Sequence, residues 1–133
     1  MNSRFDAVVV GMGQAGPALA ARLSKHGMKV AVVERGDFGG TCVNNGCTPT
    51  KAMVASAYAA QIARRAGDYG VVLAGPPSVD MAAVKARKDG LVRSAREGVE
   101  RWMRGLHGDR DYDGLLRGSA RSVRKPASRL LTD

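Results

Sequence analysis

Cys42 and Cys47 are the only thiols in a chain of 133 residues, and four residues separate them. Glycines lead up to the pair at Gly39 and Gly40, and Thr48-Pro49-Thr50-Lys51 just beyond it has the make-up of a helix start. A helix beginning there would put the Cys47 sulfur near free N–H groups and the positive end of a helix dipole, which favours a thiolate. With a second thiol on the same glycine-bearing turn, a disulfide could close and reopen in place, so the pair reads as a redox switch. Two blander readings stand beside this one. A structural disulfide is disfavoured in a reducing compartment, and a zinc site would need about four ligands, whereas the only histidines, His26 and His107, fall at no recognisable metal spacing.

The elements that must hold these thiols begin upstream. Ala7-Val8-Val9-Val10 is a short apolar run ended by glycine, the pattern of a strand buried on both faces. Gly11-Met12-Gly13-Gln14-Ala15-Gly16-Pro17 follows. In that spacing Gly11 permits a tight turn, Gly13 lets backbone approach a pyrophosphate, and Gly16 lets a helix pack closely on the strand. Pro17 suits the first turn of that helix and Gly27 its end. Lys29 to Glu34 reads as a second buried strand, and its terminal acid lies 18 residues beyond Gly16, where an acid reaches the ribose hydroxyls of an adenine nucleotide. The competing reading is a βαβ unit whose glycines serve packing alone.

Taken together, Gly11-x-Gly13-x-x-Gly16, Glu34 and Gly40-Thr41-Cys42-x-x-x-x-Cys47-x-Pro49-x-Lys51 resemble the N-terminal FAD half-site and redox disulfide of the class I pyridine nucleotide–disulfide oxidoreductases. That family includes dihydrolipoamide dehydrogenase, glutathione reductase and mercuric reductase. Gly46 to Lys51 and Gln14 to Pro17 are most similar to the mercuric-reductase-like branch. The resemblance implies an α/β fold, a Rossmann-like FAD-binding domain with a parallel sheet and flanking helices. It implies FAD as cofactor and NAD(P)H as the electron source. Electrons would pass through FAD to a Cys42–Cys47 disulfide and on to mercuric ion, dihydrolipoamide or a small disulfide. By the same resemblance Cys47 is the charge-transfer thiolate beside the flavin, Cys42 the interchange thiol, and Lys51 the lysine near the flavin ring. Gly40, Thr41 and Arg35 match cofactor-contacting positions, and Ala120, in Gly118-Ser119-Ala120, matches a backbone contact to adenine.

The resemblance runs to about residue 123, which gives an FAD-binding segment over 1–123 and a divergent tail over 124–133. The family's nicotinamide domain, its later FAD segment and its homodimerisation domain with the histidine acid/base have no counterpart here. The chain is therefore expected to be a truncated portion of such an enzyme, inactive by itself; the alternative is a small dithiol redox or nucleotide-binding module acting with a partner chain. Between the thiols and residue 123, residues 49 to 65 read as a helix with small packing positions, and Tyr69 to Leu73 as a short strand or loop. Asp80 reads as the N-cap of a long helix whose apolar positions recur every three or four residues. Its basic residues, Arg87 and Arg96 among them, are expected on the outer side, and Gly90 and Gly98 invite a bend.

Net charge is +9 with a pI near 10.3, the balance of a nucleic-acid binder. Its distribution argues against that role. Residues 1–84 carry 8 basic and 5 acidic side chains and residues 85–133 carry 13 and 7, an excess of +3 and then +6 with no dense basic block. Only 5% of residues are aromatic, too few for a single-strand stacking platform. No apolar run approaches the roughly 20 residues of a membrane span, and the N-terminal apolar run is too short for a signal peptide. A cytoplasmic protein without nucleic-acid or membrane partners is expected.

Overall fold

A computed structural model describes residues 4–106 and the backbone of residues 115–117. Strand β1 (Ala7–Val10) leads through helix α1 (Gly16–Lys25) to strand β2 (Val30–Glu34), which pairs with it in parallel, Ala7 opposite Val30 and Val10 opposite Val33. A third strand, β3 (Leu115–Arg117), lies parallel to β2 on its other side, Val32 opposite Leu115, so the sheet order is β1-β2-β3. This is the short parallel sheet with flanking helices that a Rossmann-like domain requires. α1 ends where expected: Gly27 has φ +81°, its N–H donates to the Ser24 carbonyl, and the Met28 N–H donates to that of Leu23, a Schellman motif.

β2 is the buried strand. Val30, Ala31, Val32 and Val33 are each no more than 4% exposed. The expectation of burial on both faces fails for β1, where Val8 is 51% and Val10 58% exposed. β1 is an edge strand of the three, and the described helices cover only the face that carries Val9.

Downstream come a short helix, α2 (Gly40–Asn44), and then α3 (Cys47–Arg64), a 3-10 turn (Ala66–Tyr69) and α4 (Met81–Gly105). One sequence reading is corrected here: the approach to the thiols is a helical turn, not a simple glycine turn. Of the two alternatives for Tyr69 to Leu73, residues 70–73 take the loop. Asp80 does cap α4, its carboxylate accepting from the Ala82 and Ala83 N–H groups at 2.8 and 3.0 Å. Neither Gly90 nor Gly98 interrupts α4, which runs unbroken for 25 residues, a length of about 37 Å at 1.5 Å per residue. That length lets one helix touch every other layer. Its first half lies along α3, its middle reaches α2, and near its end Met103 enters the main core beside Met12, Val30, Val32 and Phe38.

Candidate functional site

The fingerprint turn is fixed from both sides. The Gly11 N–H donates to the Val33 carbonyl at 2.7 Å, and the Met12 N–H donates to the Glu34 carboxylate at 2.7 Å. The other Glu34 oxygen accepts from the Gly36 N–H at 2.9 Å, so the acid at the end of β2 ties the phosphate turn to the loop beyond it. Gly11 has φ +95°, a conformation that disfavours a side chain. A Cβ on Gly16 would lie 1.9 Å from the Gly11 carbonyl oxygen, so only glycine allows α1 to start this close to the turn. Gly13 differs, since a Cβ there would meet nothing within 4 Å.

A second loop crosses the first. The Gly39 N–H donates to the Met12 carbonyl at 2.7 Å, and a Cβ on Gly40 would come within 2.7 Å of the Gly13 Cα, so two glycines make the crossing possible. Between these loops and the end of β2 lies a cleft of about 510 Å³, bordered by Gly11, Glu34, Arg35, Asp37, Gly40 and Asn44 among others. The N-terminus of α1 has no side-chain cap and no acid in its first turn. Uncapped N–H groups, an open approach at Gly13 and an acid on the cleft wall fit the pyrophosphate and ribose of a dinucleotide.

The thiols stand just past this cleft on consecutive helices. Cys42 is the third residue of α2 and half-buried; Cys47 is the first residue of α3 and exposed. Both are free thiols. Gly46 forms the joint between the helices, where a Cβ would press on the Thr41 carbonyl at 3.0 Å and the Cys42 Cα at 3.2 Å. The Cys42 thiol is pushed above the usual thiol range, first by its hydrogen bond with Cys47, then by burial and by the charge Cys47 can carry; a backbone hydrogen bond at Cys47 and the Lys51 ammonium pull the other way. The start of α3 carries neither a side-chain cap nor an acid, as the reading of Cys47 at a helix N-terminus requires.

Of the sequence-predicted residues, Gly11, Glu34, Arg35 and Gly40 border the cleft; Gly13 and Gly16 form the turn behind it. Cys42, Cys47, Thr41 and Lys51 gather on α2 and the first turns of α3, outside the cleft lining. Ala120 and the 123/124 boundary lie outside the described residues. Sequence reasoning missed Asp37 and Asn44. The signal for Asn44 was its place between the two cysteines, where a polar residue two positions from a thiol deserved a role. It also misplaced two arginines of α4. Arg87 donates to the Ala52 carbonyl and the Ser56 hydroxyl on α3, and Arg96 to Asn44 and Asp37, so neither belongs to a purely solvated face.

A parallel βαβ unit with a phosphate turn, an acid closing its second strand and a dithiol on the next helices is a dinucleotide-binding redox domain. The chain belongs to the pyridine nucleotide-disulphide oxidoreductase family, whose model matches residues 5–122. It is 42% identical over 99 residues to the dihydrolipoyl dehydrogenase of Chlamydia muridarum, covering 74% of this chain and 21% of that protein. Its identity to the dihydrolipoyl dehydrogenase of Bacillus subtilis is 38% over 104 residues, 78% of this chain and 22% of that protein. Among solved structures, a Cu(II) complex of the HOCl-induced flavoprotein disulfide reductase RclA from Escherichia coli superposes with a TM-score of 0.63 at 29% identity, over 79% of this chain and 20% of that one. The chain thus spans about a fifth of the length of these relatives. The family works with FAD and NAD(P)H. Among the described residues, no helix is long and apolar enough to cross a membrane, and no group of three or more His, Cys, Asp or Glu could hold a metal ion.

Proposed function

We propose that this chain supplies the FAD cradle and the redox dithiol of a disulfide oxidoreductase of the dihydrolipoyl dehydrogenase type. The observation that carries the reading is the pair of free thiols, Cys42 and Cys47, on two consecutive helices reached by the same Gly39-Gly40 loop that crosses the phosphate turn. Gly13 and the start of α1 would hold the pyrophosphate. Glu34 would take the ribose hydroxyls on the lone pairs that its two present hydrogen bonds leave over. Gly40, Thr41 and Arg35 would border the cofactor, Lys51 would stand beside its ring, and Ala120 would meet adenine. When bound, FAD supplies the electron pair that comes from NAD(P)H.

The residues of the chain then exchange bonds in two steps. Cys42, as thiolate, attacks one sulfur of a small disulfide; that S–S bond breaks, a mixed disulfide forms, and one substrate thiolate leaves and takes up a proton. Cys47 Sγ then attacks the Cys42 sulfur, releasing the second substrate thiol and closing the Cys42–Cys47 bond. Two electrons have moved to substrate, and a dihydrolipoyl dithiol runs the same steps backwards. Mercuric ion is the alternative acceptor, and a reducing, cytoplasmic setting is the one in which such a pair cycles.

Two measurements on the purified chain test this reading. Titration with FAD should quench flavin fluorescence with saturation, and dithiothreitol should reversibly open a Cys42–Cys47 disulfide that mass spectrometry detects as the loss of two hydrogens. A chain that neither binds FAD nor forms that disulfide would overturn it.

A further inference from the structure

Arg96 sits in the middle of α4 and makes a two-pronged contact outside its own helix. Its Nε donates to Asn44 Oδ1 at 3.0 Å, and its Nη1 lies 3.0 Å from Asp37 Oδ2. The side chain is 35% exposed, so the contact is partly shielded from water. Asn44 relays it. Its Nδ2 donates to the Phe38 carbonyl at 3.0 Å and the Gly40 carbonyl at 2.9 Å. A guanidinium only donates, so it can meet only the oxygen end of the Asn44 amide, which leaves the NH₂ end for those two carbonyls. One cation thereby fixes the orientation of an amide that closes the first residue of α2 onto its last.

α2 is five residues long, a single turn that cannot hold itself. Cys42 lies two residues before Asn44 in that turn, and Asp37 and Asn44 both line the cleft. We propose that Arg96 is a positioning residue for the redox pair: through Asn44 and Asp37 it holds the α2 turn so that Cys42 meets Cys47, and so makes their disulfide easier to close. The inference rests on the dithiol reading above. The step it acts on balances with dithiothreitol as partner. The ring S–S bond of oxidised dithiothreitol breaks, an S–S bond forms between Cys42 and Cys47, and two electrons and two protons pass to dithiothreitol. Pre-organised thiols behave as a higher effective concentration and favour the closed form.

α4 provides its own control. Arg87 makes the same kind of cross-helix contact, Nη1 to the Ala52 carbonyl at 3.0 Å and to the Ser56 hydroxyl at 3.2 Å, but it reaches α3 well past Cys47. The experiment is equilibration of the purified chain in dithiothreitol redox buffers, with trapped thiols counted by mass spectrometry. Arg96→Met should lower the equilibrium constant for closing the disulfide about fivefold, about 20 mV for a two-electron couple, while Arg87→Met stays within twofold of wild type. Arg96→Lys reaches only one of the two acceptors and should fall between. Equal constants in folded Arg96→Met and wild type would overturn the proposal, as would an equal shift in Arg87→Met, which would mean general loosening. If Arg96→Met lacks the wild-type circular dichroism, Arg96→Lys and Asp37→Asn carry the test, each expected to lose about twofold; no loss in either overturns the proposal. A wild-type chain that forms no reversible disulfide removes the dithiol reading and this inference with it, a result distinct from a normal wild type matched by Arg96→Met.

Discussion

β2 and α3 are separated by twelve residues that include α2, and they are held in place by different means. β2 is buried from Val30 to Val33, whereas the 18 residues of α3 bury one side chain, Ala52, and leave Val54 and Tyr58 open to solvent. The nucleotide half is therefore shaped by packing, with glycines where two backbones cross. The helical half is placed by a few directed contacts, Arg87 and Arg96 from α4, and by Met103, which with Val99 and Leu106 reaches the main core. The dithiol sits at the junction. Substitutions should then act through sterics in the first half and through hydrogen bonds or helix propensity in the second.

The largest effect is expected at Gly16. An alanine Cβ 1.9 Å from the Gly11 carbonyl cannot be relieved by a rotamer change, because the clash is with backbone. Gly16→Ala should cost about 3 kcal/mol, the upper end of overpacking effects, and be seen in urea unfolding of the chain. Gly13→Ala, with nothing within 4 Å of its Cβ, should keep wild-type stability and lose FAD binding instead. If both variants unfolded alike, the turn would be a packing device and its role as a cradle would fail.

At the junction the contrast is chemical. The Cys42 thiol is raised chiefly by its hydrogen bond with Cys47, so Cys47→Ala removes the main cause. The pH midpoint of Cys42 alkylation by iodoacetamide should then move down, with Cys42 alkylating faster at a fixed mildly alkaline pH than it does beside Cys47. An unchanged midpoint would mean that burial alone holds the proton.

The same contrast explains what was legible in the sequence. The βαβ unit was, because each of its signals is local: a β-branched run, glycines at fixed offsets and an acid at a strand end. The exposure of β1 was not, since whether Val8 and Val10 are covered depends on what lies beside the strand. α2 was missed because one turn containing Thr41, Val43 and Asn44 has little helix propensity and is held from outside by Arg96. Arg87 and Arg96 look like Arg93 and Arg101 in sequence. What turns them inward is an acceptor on another helix, Ala52 or Asn44, 35 or 52 positions away. The bend expected at Gly90 and Gly98 is absent because α4 is supported along its length by α3, α2 and the core.

That support leaves the propensity cost in place, so Gly90→Ala offers a gain. Gly90 is exposed within α4 and a Cβ would meet nothing within 4 Å. The substitution should add about 0.5–1 kcal/mol to stability in urea unfolding, opposite in sign to Gly16→Ala. A loss would show that α4 needs flexibility there.

The smallest effect belongs to the outer side of the same helix. Asp89 is held down to about 2, first by its hydrogen bond with Lys85 and then by that with Lys88. A carboxyl whose folded pKa is depressed contributes stability that is fully present above its unfolded pKa, about 4, and is lost as pH falls through the folded value. Asp89→Asn should therefore melt slightly below wild type at pH 6, and the two melting temperatures should converge between pH 4 and about 2. Because Lys85 is well exposed and Asp89 is half-buried at the surface, 1 M salt should remove most of the difference at pH 6 as well. A difference that persisted in high salt would mean that Asp89 gains more from its lysine partners than screening by solvent allows, and that the division between an outer face of local i,i+4 pairs and one that reaches other helices does not hold along α4.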